Sequence, residues 1–196
     1  MNYPDFFDTL ETITMHDPLA QTLGVGDGLF TYSYLDAVKL AGHSCPTVAG
    51  AWLCVQKALK ELYGQEIPTR GIIEIAFANP EDEGVTGVIA SIFTLITGAS
   101  GAGGFKGIQG NFSRNNKLLF AKGLKSQMKV TRLDRLKSIE LSYDPSSIEI
   151  KPEQQQLMQK LLTKEASKEE IQKFGQLWQE RVEMIFKNSE RLIKVL

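Results

Sequence analysis

Thr47–Tyr63 is the segment that most constrains the fold. It carries start and stop signals for a helix at both ends. Pro46 suits the first helical turn, because its missing N–H would be unpaired there in any case. Gly64 suits the end, where a left-handed or otherwise unusual backbone closes the last turn. Between them Val48, Ala51, Trp52, Val55, Ala58, Leu59 and Leu62 make one broad apolar face, so the spacing predicts a helix packed into a core.

The residues just before this helix carry the chemistry. Gly42-His43-Ser44-Cys45-Pro46 holds one of the two histidines and one of the two cysteines of the whole chain. An imidazole and a thiol two residues apart suit zinc or iron as ligands. The site also sits at a helix N-terminus, where exposed N–H groups favour negative charge. The bland alternative is a buried cysteine acting as a small hydrophobe beside a capping histidine. Cys54, flanked by Leu53 and Val55, reads as plain core packing.

Two donors hold zinc weakly, so further ligands must come from elsewhere. His16 is the other imidazole, placed by its sequence at a polar turn before Pro18, and it is the candidate third ligand. Asp17 or Asp36 could supply a carboxylate or orient a histidine. Three protein ligands and a water would leave the site open.

A second candidate is the glycine-rich run Gly98–Gly110, with six glycines and Lys106. It is neither a phosphate-binding P-loop nor a dinucleotide fingerprint, because it follows a helix and Lys106 precedes Gly107 rather than Ser or Thr. Its backbone amides, with Lys106 and Arg114, could bind an anion such as a carboxylate or phosphate. Close packing of the loop on the preceding helix is the simpler alternative.

The rest of the pattern predicts an α+β fold. The spacing of Phe6, Phe7, Leu10 and Ile13 reads as an amphipathic opening helix over 5–15. Strands are expected at 29–34, 71–77, 118–121, 127–133 and 138–143, with helices at 35–41 and 84–97. They would form a mixed or antiparallel sheet of four to five strands packed with central helices. Pro145 and Pro152 mark a change of character. Beyond it Ser167-Lys168-Glu169-Glu170 is a capping box that starts a long helix carrying Ile171, Phe174, Trp178, Val182 and Ile185 on one stripe. The expected organisation is a core domain over 1–150 and a C-terminal helical extension over 151–196.

Composition narrows the partners. Net charge is -1, which gives no overall pull toward nucleic acid or anionic membrane. Eight Lys and Arg do fall between 111 and 140. Their alternation in strand-like segments reads as a solvated face rather than a nucleic-acid surface. No secretory signal and no membrane-spanning run is visible, and two cysteines make no disulfide framework, so a cytoplasmic setting is expected. The apolar stripe of the last helix needs a cover, which either the core or a second copy of the chain would supply, and oligomerisation is the economical expectation.

Ala41-Gly42-His43-Ser44-Cys45-Pro46 and the helix after it resemble the Gly-His-x-Cys-Pro signature of the FmdE family, which takes its name from a component of formylmethanofuran dehydrogenase. Ile96-Thr97-Gly98 through Gly104-Phe105-Lys106-Gly107 is similar to a weaker family thread, Thr-Gly followed by Gly-Lys-Gly. Together these cover about residues 1–145. The resemblance implies an α+β core, a homodimer, and a divalent metal, usually assigned as zinc, at the His/Cys region. Carried to this chain, it implies His43 and Cys45 as ligands; His16 would stand in for the family histidine missing at Ala41, Thr47 would face the site, and a small anionic or carbonyl ligand would lie near Lys106 or Arg114.

Three departures stand out. Ala41 occupies a position where relatives often carry histidine, and Thr47 stands where glycine is common. The cysteine-rich module that ends many relatives has no counterpart after Cys54. No family activity transfers, since that reaction needs iron–sulfur and molybdenum or tungsten centres that two cysteines cannot hold. Three functions therefore remain open: an open metal site acting on a small ligand, an accessory module with a structural metal, and a thiol protein using Cys45 activated by the helix terminus and His43.

Overall fold

The computed structural model describes residues 3–196. The chain opens with a 3-10 turn, Asp5–Thr9, followed by β1 (Ile13–His16) and a short helix α1 (Pro18–Thr22). Strand β2 (Leu29–Tyr32) pairs antiparallel with β1, setting Ile13 opposite Tyr32 and His16 opposite Leu29. Helices α2 (Tyr34–Ala41) and α3 (Pro46–Tyr63) follow, then β3 (Ile73–Phe77) and α4 (Thr86–Thr97). The second half contributes β4 (Leu118–Leu119), β5 (Met128–Arg132), β6 (Lys137–Tyr143), α5 (Pro152–Leu162), α6 (Lys168–Lys187), α7 (Ser189–Leu192) and β7 (Ile193–Val195).

The main sheet has the order β4-β3-β5-β6-β7. Its β3–β4 pair is parallel and the others antiparallel, so the sheet is mixed. The inward residues of β3 and β5 alternate, with Ile73, Ile75, Met128 and Val130 buried and the intervening positions partly exposed, as a strand with one core face requires. Helix α3 lies across this face, between the sheet, α4 and α6. Val48, Trp52, Cys54 and Val55 are fully buried there. This is the α+β fold that the residue pattern predicts.

Several elements differ from expectation. The expected opening helix is a single 3-10 turn followed by β1. Phe7 and Ile13 are both buried, but they belong to two different elements, and a helical spacing is compatible with both. Helix α4 is apolar on all sides in sequence yet exposes Val88, and Val85 just before it, on one face. Within 151–196, α5 begins at Pro152, which serves as an N-terminal helical residue rather than a break. The chain ends in strand rather than helix. β7 pairs with β6 through Leu141 and Val195, so the C-terminal segment completes the main sheet.

Candidate functional site

Gly42 ends α2 in the left-handed conformation, with φ of 76°. The chain then turns through His43 and Ser44 into Cys45, the N-cap of α3. The thiol takes the place of a capping oxygen: the Val48 N–H donates to Cys45 Sγ at 3.4 Å. Sulfur thus sits at the positive end of an eighteen-residue helix. Cys45 is buried, with 8 % of its surface exposed.

The walls of this site come from distant segments. The Tyr34 hydroxyl and Ser44 Oγ share a hydrogen bond of 2.9 Å. The Ser44 carbonyl accepts from Trp178 Nε1 at 2.9 Å and from Gln179 Nε2 at 3.3 Å, both on α6. The Tyr143 hydroxyl donates to the Pro46 carbonyl at 2.9 Å. Its ring lies so close to Gly50 that a Cβ there would stand 2.2 Å from it. Burial raises the phenol pKa of Tyr34 and Tyr143 well above the ordinary tyrosine value, so both stay protonated. Cys54 lies deeper on the same helix, where burial pushes its thiol up to about 12. It is an inert core thiol.

His43 is exposed, and its Nδ1 lies 2.9 Å from the Ala41 carbonyl oxygen. A carbonyl only accepts, so Nδ1 carries a proton and donates to it. Thr47, the second residue of α3, is partly buried beside this end.

The structure does not bring His16 to this pair as a ready ligand set. Among the described residues, no group of three or more His, Cys, Asp or Glu side chains is arranged to hold a metal ion. His16 ends β1 rather than a helix, and its Nε2 bonds to Gln21 Oε1 at 2.9 Å. Its backbone is fixed as well, accepting from Arg70 N and donating to the Pro68 carbonyl. The carboxylates considered with it are also occupied. Asp36 closes the capping box of α2 against Ser33. Asp17 caps α1 through the N–H groups of Leu19 and Ala20.

Arg114, a candidate anion ligand, is instead engaged by Asp17, with Nη2 2.6 Å from Oδ1. Arg70 approaches the other oxygen at 3.5 Å and donates to the Tyr32 hydroxyl. These two guanidiniums lie against the backbone of Gly98, the residue that ends α4, where a Cβ would come within 2.9 Å of Arg114. The negative end of α4, with Leu95 O accepting from Arg70, offsets the surplus positive charge. Gly98 and Gly71 are glycine for a physical reason: both have positive φ and both abut Arg114.

The glycine loop is likewise closed on its own neighbours. The Ser100 carbonyl accepts from Lys117 N and Leu118 N, and Gly101 O accepts from Asn116 N. Lys106 is exposed on its rim, away from any ion pair among the described residues. The sequence pattern does not reveal Asp17 and Arg70 as partners of Arg114, nor Trp178 and Gln179 as the cover of Ser44.

Two open grooves lie elsewhere. One of about 400 Å³ runs between β1 and the C-terminal half of α3, bordered by Thr14, Gln56, Lys60 and Ile193. The other, of about 340 Å³, lies over α4 beside Leu40, Ser91, Gly101 and Phe120. No helix among the described residues is long and apolar enough to cross a membrane.

Comparison with known proteins returns no relatives. No family model matches the chain, no curated protein matches it, and no solved structure does.

Proposed function

We propose that the chain works through Cys45, as a thiolate at the positive end of α3 acting on a small carbonyl or anionic compound. The observation that carries this is the Val48 N–H donating to Cys45 Sγ from the first turn of α3. That sulfur stands at the helix terminus, the end of the dipole that favours negative charge, while burial holds Cys54 on the same helix as a neutral thiol. As a nucleophile, the sulfur gives its electron pair to the carbonyl carbon, and the carbonyl oxygen takes up a proton. Bromopyruvate, a small anionic haloketone, tests the reading: sulfur displaces bromide and leaves a stable adduct. The expected result is one adduct on Cys45 and none in Cys45→Ser. Equal modification of both proteins would refute it.

A second reading, favoured by the orientation of His43, is binding of a divalent metal through His43 and Cys45. The Ala41 carbonyl fixes Nδ1 as a hydrogen-bond donor, so in the neutral ring Nε2 is the nitrogen that would bind a metal, the arrangement common in metal-ligating histidines. Thiolate and imidazole together suit zinc. This is the chemistry that the resemblance to the FmdE family implies, with Thr47 and Lys106 as neighbours of a small ligand. Further donors would have to come from water, the ligand or another chain. Calorimetric titration with zinc distinguishes it: binding abolished by both His43→Ala and Cys45→Ser supports it, and binding unaffected by either sinks it.

Self-association accompanies either reading. Helix α4 carries no charged residue, and Val85, Val88 and nearby Leu40 stand exposed, so a second copy would bury an uncharged apolar face. Two unpaired thiols fit a reducing, cytoplasmic setting.

A further inference from the structure

We infer that the groove over α4 binds a small organic amine, with the ammonium group at Glu81 and an apolar body laid along the helix. None of residues 42–47 borders this groove, so the inference stands apart from the Cys45 reading. Its volume of about 340 Å³ falls within the range of small-ligand sites.

Small side chains give the groove its shape. Gly87, Ala90, Ser91 and Thr94 form a floor on one side of α4, at the three- and four-residue spacings that share a helix face. From Gly87 to Thr94 that floor runs about 10 Å, given the rise of an α-helix. Leu40, Leu118 and Phe120 supply apolar walls. Phe120 stacks on Phe77 with ring centroids 5.4 Å apart, so one wall is held in place before any ligand arrives. Gly87 has a steric reason to be glycine. A Cβ there would stand 3.0 Å from the Glu81 carbonyl oxygen and 3.7 Å from Glu81 Cγ, so its absence lets Glu81 lie against the start of the helix.

Charge then selects the ligand. Glu81 is the one charged residue that lines the groove, and it forms no ion pair among the described residues. Asp82 and Glu83 follow it in the same exposed turn, where Asn79 Nδ2 donates to Glu83 at 2.8 Å. Three carboxylates outweigh the roughly half unit of positive charge at the N-terminus of α4, so this end attracts a cation. The other end offers the hydroxyls of Thr94 and Ser100 and no charge. An ammonium joined to an apolar chain or ring matches this arrangement. The larger groove beside β1 makes no such choice, because Lys57 and Lys60 line it together with Glu11 and Glu190.

The test is an NMR titration of the isotope-labelled chain with three probes that share one body: phenylpropylamine, phenylpropanol and phenylpropionate. The amine should shift the amides of Gly87–Leu95, Ser100 and Gly101 saturably. It should bind about three-fold more tightly than the alcohol, the scale of an exposed ion pair, and the carboxylate should bind most weakly. Glu81→Gln should erase the preference for the amine and leave the affinity for the alcohol unchanged. Ser91→Leu puts a larger helix-forming side chain on the floor and should abolish binding of the amine. Val88→Asp removes the contact proposed between copies and should still bind it, so failure of that contact and failure of this site are read separately. The site is overturned by the absence of saturable shifts at these amides or by equal affinities for the three probes. Amine binding that survives Ser91→Leu, or is lost in Val88→Asp, overturns it equally.

Discussion

The indole N–H of Trp178 donates to the carbonyl oxygen of Ser44 at 2.9 Å, across 134 positions of sequence. That bond ties the last long helix to the turn that feeds Cys45 into α3. It makes the C-terminal segment part of the candidate site as well as part of the sheet.

Gly50 and Tyr143 set the other wall. The Tyr143 ring occupies the space where a side chain at position 50 would begin, and its hydroxyl holds the Pro46 carbonyl. Gly50→Ala should therefore push the ring away and lose about 1–3 kcal/mol of stability through overpacking. A thermal melt should fall by several degrees. An unchanged melting temperature would show that the ring relocates without loss.

Asp17 is the carboxylate that faces two buried or half-buried arginines, Arg70 and Arg114. Removing its charge strands Arg114, whose Nη1 already lacks a partner and whose pKa is lowered by burial. Asp17→Asn keeps the size and the helix cap. It should still cost about 3–5 kcal/mol, the usual penalty for breaking a buried ion pair from one side. Urea unfolding measures it, and a midpoint within error of the unsubstituted chain would contradict the assignment.

Acid should loosen the junction of β5 with the end of α3. Hydrogen bonds from Arg132 hold the carboxyls of Glu66 and Asp134 below their ordinary values. Groups with depressed native pKa values contribute stability above the unfolded carboxylate range and lose it as pH falls through the depressed values. The urea midpoint should therefore drop on acidification, and less steeply in Arg132→Met. Parallel pH curves for the two proteins would count against this junction.

Val88→Asp tests self-association through α4. The unsubstituted chain should sediment as a dimer and the variant as a monomer. A monomeric unsubstituted chain would rule this interface out.

Residues 42–64 carry nearly all of their own structural instructions. Gly42, Pro46 and Gly64 mark the ends of α2 and α3, and the sulfur position at the N-cap follows from those marks alone. Local signals also mark the capping box at Ser167. What the sequence hides is long-range. The spacing of Phe6, Phe7 and Ile13 fits a helix, yet β1 forms because Ile13 and Met15 pair with β2 and because His16 bridges to Thr69. Arg114 looks like an exposed anion ligand until Asp17, 97 residues away, is seen beside it. Ser44 likewise shows no sign of its partners on α6. Hydrogen bonds at such separations depend on tertiary packing, which no local pattern encodes.

The claim that Cys45 is a working thiol is tested most directly by competition between the two cysteines of the unsubstituted chain. Under native conditions with limiting iodoacetamide, Cys45 should be labelled well before Cys54, because the first keeps part of its surface exposed at a helix end and the second is fully buried inside the helix. Labelling of both at the same rate would contradict the account, making Cys45 a core residue that happens to cap a helix.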